Sequence, residues 1–113
     1  MCLILFAYGM HPSYRLVLAA NRDEFYNRPS QPADFWPNHP DVLAGIDLQE
    51  KGTWLGVTKQ GKFAAITNYR DPEAWKDEAP SRGKLVRDYL TGVSNPEQYL
   101  KKISTGSEAY NGF

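Results

Sequence analysis

Cysteine is almost absent: the 113 residues contain one, Cys2. That excludes an intrachain disulfide framework and fits a reducing compartment, so a cytoplasmic location is expected. Charge of one sign is not in excess either. Thirteen Lys and Arg balance 13 Asp and Glu for a formal net charge of zero. Binding to phosphate backbones by bulk charge needs clustered Lys and Arg, so no nucleic-acid partner is expected. No apolar run reaches the roughly 20 residues that cross a bilayer, so no membrane span is expected. Residues 1–8 are apolar but lack a positive n-region, and the run ends at Gly9; they read as a buried strand rather than a signal peptide. Repeats and low-complexity tracts are missing. Histidine is scarce too. His11 and His39 each precede a proline and have no second ligand at metal-binding spacing, so no metal and no cofactor are expected.

What is present is the material of a folded core. Hydrophobic residues make up 42% and aromatics 13%, too apolar for a disordered chain, and the length fits one domain over residues 1–113. Residues 2–8 and 14–20 are apolar runs separated by His11-Pro12-Ser13, which predicts an antiparallel hairpin. Both runs lack polar alternation, so both faces are expected to be covered. Residues 21–40, with four prolines and no period, read as a long loop, and a short strand is expected near 42–46. Residues 53–58 and 63–68 flank Lys59-Gln60-Gly61-Lys62, a second hairpin with glycine placed for positive φ. Ser81 is expected to cap a helix running to about Thr91 and burying Leu85, Val86, Tyr89 and Leu90. Asn95-Pro96 opens another, with Tyr99, Leu100 and Ile103 as its buried stripe. Residues 109–113 read as the approach to a further strand. Strands first and helices after predict an α+β fold.

Chemistry gathers at one end of the first hairpin. Cys2 is small enough for the initiator Met1 to be removed, which would leave a terminal cysteine. An α-amine has a reference pKa of about 7.7–8.0 and a thiol about 8.5, so one residue would supply nucleophile and base. The bland reading, a small residue opening a buried strand, has position alone in its favour. A turn centred near residue 11 pairs positions summing to roughly 22–24, which sets Cys2 beside Ala20, Asn21 or Arg22. The polar run Asn21-Arg22-Asp23-Glu24 then surrounds it, with Arg22 favouring a thiolate and Asp23 holding the α-ammonium. Asn68, ending the second hairpin, could donate to an oxyanion, with Tyr69 and Arg70 beside it. Gly56 to Lys62 matches part of a phosphate loop. Phe63 stands where the magnesium-binding hydroxyl belongs, however, and the segment sits in a hairpin, which excludes that function.

These residues resemble the signature of the NRDE family, the transport-and-Golgi-organisation-2-like proteins. The resemblance is carried by Met1-Cys2, by Leu18-Ala19-Ala20-Asn21-Arg22-Asp23-Glu24-Phe25-Tyr26-Asn27-Arg28-Pro29 and by Gly52-Thr53-Trp54-Leu55-Gly56. Ala65-Ile66-Thr67-Asn68-Tyr69-Arg70, Arg82-Gly83 and Tyr110-Asn111-Gly112-Phe113 complete it. It implies an N-terminal-nucleophile-hydrolase-like αββα sandwich with Cys2 as nucleophile. This chain would then be the N-terminal half, because family members are about twice as long. The choloylglycine-hydrolase branch of that superfamily has an Arg-Asn-x-Asp stretch at the same place. Here Asn21 and Asp23 fit, and arginine occupies the x position as Arg22. Strand alternation points it to the opposite face, where it would support the loop instead of the thiolate.

The resulting expectation is a hydrolase of a linear amide or an acyl bond. Cys2, Asp23 and Asn68 would be catalytic, and Asn21, Arg22, Glu24, Tyr69 and Arg70 supporting. The alternative is a non-catalytic carrier or trafficking protein for haem or an acyl-CoA-like ligand on the same scaffold. Either implies a small-molecule partner. With half of a sandwich missing, exposed sheet is also expected to promote a homodimer.

Overall fold

The computed structural model of this protein describes residues 2–113; removal of Met1 lies outside the described residues. The order of elements is β1 (Leu3–Tyr8), β2 (Leu16–Asn21), β3 (Ser30–Trp36), β4 (His39–Asp47), β5 (Leu55–Thr58), β6 (Phe63–Ala65), α1 (Gly83–Thr91) and α2 (Pro96–Gly106), followed by a 3₁₀ turn at Ser107–Ala109. The fold is mixed α+β. β1 and β2 form a two-stranded antiparallel ribbon, and β3-β4-β5-β6 form a four-stranded antiparallel sheet.

The ribbon follows from its sequence, with Gly9 at φ 66 just after β1. Its register runs Leu3↔Asn21 to Tyr8↔Leu16, so paired positions sum to 24. Its expected cover is not there. Leu5, Phe6, Tyr8 and Val17 are exposed at 59%, 68%, 67% and 46%. The two apolar strands therefore present large hydrophobic side chains outside the core.

The region read as loop contains a strand and the start of another. β3 and β4 turn tightly through Pro37-Asn38, with Trp36 opposite His39. Two features hid them. β3 is an edge strand, where Pro32 removes no needed ladder bond. Its register also slips between Gln31 and Asp34 and between Phe35 and Trp36, which erases the alternation that marks a strand. The second hairpin forms as expected but with shorter strands, and Gly61 takes φ 87 in its turn.

The core lies between the four-stranded sheet and α1. Val42 and Ala44 from β4 meet Val86, Tyr89 and Leu90, with Trp36 at the edge. The Trp36 indole N–H donates to the Ala44 carbonyl at 3.0 Å, so its polar atom is satisfied inside the core. The buried face of α1 is the expected one. Its start is not: the helix begins at Gly83, Arg82 occupies the cap position, and Ser81 offers only its carbonyl to the Lys84 N–H. At its other end Lys62 Nζ donates to the Tyr89 and Gly92 carbonyls at 3.1 and 2.5 Å, a cation on the negative end of the helix. Asn95 caps α2 by accepting from the Gln98 N–H at 2.9 Å. Tyr99 packs on Tyr89 and donates to the Leu85 carbonyl at 2.8 Å. Leu100 points outward, 64% exposed, so the expected stripe on α2 is narrower. Residues 110–113 form no strand, although the Tyr69 N–H donates to the Gly112 carbonyl.

Gly52 and Gly83 fix how α1 meets the sheet. A Cβ at Gly52 would lie 2.6 Å from the Gly83 carbonyl carbon, and one at Gly83 would lie 3.1 Å from the Thr53 carbonyl oxygen. The backbones can therefore touch, and the Thr53 N–H donates to the Gly83 carbonyl at 3.1 Å. Gly52→Ala forces two backbones apart and is expected to cost about 1–3 kcal/mol. The check is a lower urea midpoint with an unchanged m-value.

Candidate active site

Continued by one residue, the ribbon register sets Cys2 opposite Arg22. Opposed residues share a face, and alternate residues along a strand return to it. Leu18, Ala20, Arg22 and Glu24 accordingly line the same cavity as Cys2, a space of about 610 Å³. Asn21 and Asp23 fall outside its lining. Alternation thus separates Arg22 from its neighbours as expected, but the cavity lies on the Arg22 side.

Main chain links the two faces. The Asp23 backbone N–H donates to Cys2 Sγ at 3.2 Å, which meets the expectation that Cys2 sits beside residues 21–23. The Asp23 carboxyl is held below its ordinary range. Positive charge beside it accounts for the shift. Arg70 Nη2 lies 3.3 Å from Asp23 Oδ2, in a largely exposed pair of small energetic weight.

Asn68 lies beyond the end of β6 and lines the cavity with Cys2. Tyr69 and Arg70 do not line it; Tyr69 is held by its backbone to Gly112 and its side chain is exposed. Of the eight residues singled out from sequence, Cys2, Arg22, Glu24 and Asn68 share the cavity. Asp23 and Arg70 pair beside it, and Asn21 and Tyr69 stand apart from its lining.

Sequence reasoning overlooked the residues that build the walls. Arg28 Nε and Nη2 both donate to Asp47 Oδ2, at 2.9 and 2.7 Å. Asp47 Oδ1 accepts from the Gln49 and Glu50 N–H groups at 3.0 and 3.3 Å. Burial pushes the Asp47 carboxyl up, but these bonds outweigh it and leave it below the usual range. Arg22 Nη2 adds contacts to Glu24 at 3.3 Å and to Asp47 at 4.0 Å. Arg82, at the start of α1, also lines the cavity and donates to the Gly112 carbonyl at 2.6 Å. The segment carrying Trp75 and Asp77 is pinned by Asn111. Its side chain accepts from the Lys76 N–H at 2.8 Å and donates to the Lys76 carbonyl at 2.9 Å. One signal could have found part of this set. Arg28, Arg82 and Asn111 all stand in the sequence blocks that carry the family resemblance.

Among the described residues no group of His, Cys, Asp and Glu could hold a metal ion. No helix among them is long and apolar enough to cross a membrane.

Asp47→Asn keeps an acceptor for the Gln49 and Glu50 N–H groups but removes the charge facing Arg28. Its expected cost is about 2 kcal/mol at neutral pH. A carboxyl with a depressed folded pKa stabilises fully above its unfolded pKa, about 3.9, and loses that contribution as pH falls through the folded value. The gap between wild type and variant should therefore stay constant above about pH 5 and close below about pH 4. Urea melts across that range check it.

A model of the family described as "Transport and Golgi organisation 2" matches residues 1–113. The chain is 50% identical over 120 residues to the Transport and Golgi organization 2 homolog of Mus musculus, and 49% identical over 121 residues to the Transport and Golgi organization protein 2 homolog of Homo sapiens. Both alignments cover 100% of this chain and 43% of the relative. Transport and Golgi organization protein 2 of Drosophila melanogaster is 36% identical over 126 residues, covering 98% of this chain and 44% of the relative. The chain thus spans less than half the length of the curated relatives it matches. A whole-chain family match, together with half-identity to vertebrate relatives, means that this chain belongs to the Transport and Golgi organisation 2 family.

Proposed function

We propose that the chain supplies the nucleophile-bearing part of an N-terminal-cysteine hydrolase that cleaves a linear amide or acyl bond in a small molecule. The observation that carries this reading is Cys2 Sγ, held at 3.2 Å by the Asp23 N–H on the wall of a cavity that Asn68 also lines. In this reading Met1 is removed, and the freed amine of Cys2 takes the thiol proton as sulfur attacks the carbonyl carbon. Asp23, a carboxylate at neutral pH, orients the resulting ammonium. The Asn68 amide donates to the oxyanion. The ammonium then gives its proton to the leaving amine, and water, activated by the same amine, releases the acyl group from sulfur.

The fold is compatible with half of an αββα sandwich. The ribbon's exposed Leu5, Phe6, Tyr8 and Val17 are then the surface that the rest of a relative-length chain covers. Burying each such side chain gains about 1.5–3 kcal/mol. The single cysteine suits a reducing compartment, for which we propose the cytoplasm.

Two measurements on the full-length natural protein test the mechanism. Intact mass of protein from its own cells should lack Met1; a majority retaining it would sink the mechanism, because the amine would be on the wrong residue. With a hydrolysed amide in hand, Cys2→Ala should abolish turnover, and Asn68→Ala should lower kcat by about 10²–10³. Turnover that survives Cys2→Ala would place the chemistry elsewhere.

A further inference from the structure

The charges of the cavity are not all in use. Its lining holds three arginines and four carboxylates. Arg28 is tied to Asp47, and Arg22 to Glu24 and Asp47. Arg82 differs: among the described residues its side chain forms no ion pair, and the one hydrogen bond its guanidinium makes goes to the Gly112 backbone carbonyl. A guanidinium has five N–H donors in a planar fork, so one carbonyl leaves most of them unused. Arg82 is also partly removed from water. Burial works against its charge, Arg28 and Arg70 add repulsion, and the fields of Glu24 and Cys2 favour it. A cation in that position gains more from an anionic ligand than a solvated surface arginine does.

Its placement is not accidental slack. Arg82 directly precedes Gly83, whose backbone is pressed against Gly52 and Thr53. The start of the side chain is therefore fixed by main-chain contact, in the same cavity lining as the Arg28–Asp47 pair. Arg82 and Cys2 line the same cavity.

We propose that Arg82 is the anion-binding residue of this cavity, and that it selects ligands in which the group lying at Cys2 is joined to a carboxylate. A carboxylate fits better than a phosphate dianion for a reason of charge. One guanidinium neutralises one negative charge, and the four carboxylates already in the wall repel a second. The assignment rests on the cavity being the ligand site, and it deepens the hydrolase reading by naming the substrate class: a linear amide that carries a carboxylate. It does not require turnover.

The test is protection of Cys2 in the full-length natural protein against iodoacetamide, read by peptide-level mass spectrometry. The probes are N-octanoylglycine, its methyl ester, and N-octanoyl-O-phosphoethanolamine. The free acid should protect at about tenfold lower concentration than the ester, the size of a single charge-assisted contact. Arg82→Gln should bring acid and ester together. Arg82→Lys, which keeps the charge and loses the fork, should retain part of the gap, and Lys84→Gln, a nearby cation outside the cavity lining, should retain all of it. One arm needs no variant: added salt should weaken protection by the acid and leave the ester unaffected. Equal protection by acid and ester in wild type overturns the proposal, as does a gap that survives Arg82→Gln. Stronger protection by the phosphate than by the acid overturns the choice of carboxylate. If the acid protects through Arg82 yet is never hydrolysed, the hydrolase reading falls and the anion site stands.

Discussion

Two sheets that share no strand pairing are held in relation by the carboxylate of Asp47. The β1–β2 ribbon and the four-stranded sheet are separate ladders, joined along the chain by residues 22–29. Asp47, at the end of β4, accepts hydrogen bonds from two N–H groups of Arg28 in that connection and lies near Arg22 just beyond β2. Its second oxygen closes the turn after β4 through the Gln49 and Glu50 N–H groups. One largely buried group therefore fixes a turn, a connection and the position of the strand end that holds Cys2. The Leu48 N–H donating to the Pro29 carbonyl reinforces the same join. Without it, the cavity would lose the relation between its two walls.

The part of the wall that carries Arg82 and Asn68 is set by different means. Arg82 is positioned by backbone-to-backbone contact between Gly52-Thr53 and Gly83, and Asn68 by the chain leaving β6. Tertiary packing of α1 on β4 and β5 makes this wall part of the core, whereas the ribbon wall is held mainly by ions. Ionic and apolar construction thus meet across one space. Charge concentrates where apolar cover is thin, and Leu5, Phe6, Tyr8 and Val17 stand uncovered along the ribbon, outside the cavity lining.

What could be read from the sequence followed the range of each signal. The ribbon, the Gly61 turn and the buried face of α1 were legible because breakers and periodicity act over a few residues. The approach of Cys2 to residues 21–23 was legible too, since a hairpin converts local spacing into a long-range contact. β3 was not, because Pro32 and two register slips remove the alternation that announces a strand. Leu100 was misread because a stripe on a helix shows which side is apolar, not how much of it finds a partner. Arg28, Asp47 and Arg82 line one cavity from elements far apart in the chain, and no spacing rule brings them together. Arg22 shows the subtler case: alternation separated it correctly from Asn21 and Asp23, but which face held the cavity depended on the second sheet.

The ribbon's geometry also has a mechanical side. Its ionic anchors, Arg22 and Arg28, lie at or beyond the β2 end, next to Cys2, while its turn at residues 9–15 stands at the other end. Each strand has six residues, or about 20 Å of extended chain. The ribbon is therefore a lever with its fulcrum near Cys2. A given rotation about that fulcrum sweeps the tip through a long arc and moves the sulfur hardly at all. Tyr8, Met10 and Tyr14 stand exposed toward the far end, while the contact between Cys2 and the Asp23 N–H lies at the pivot.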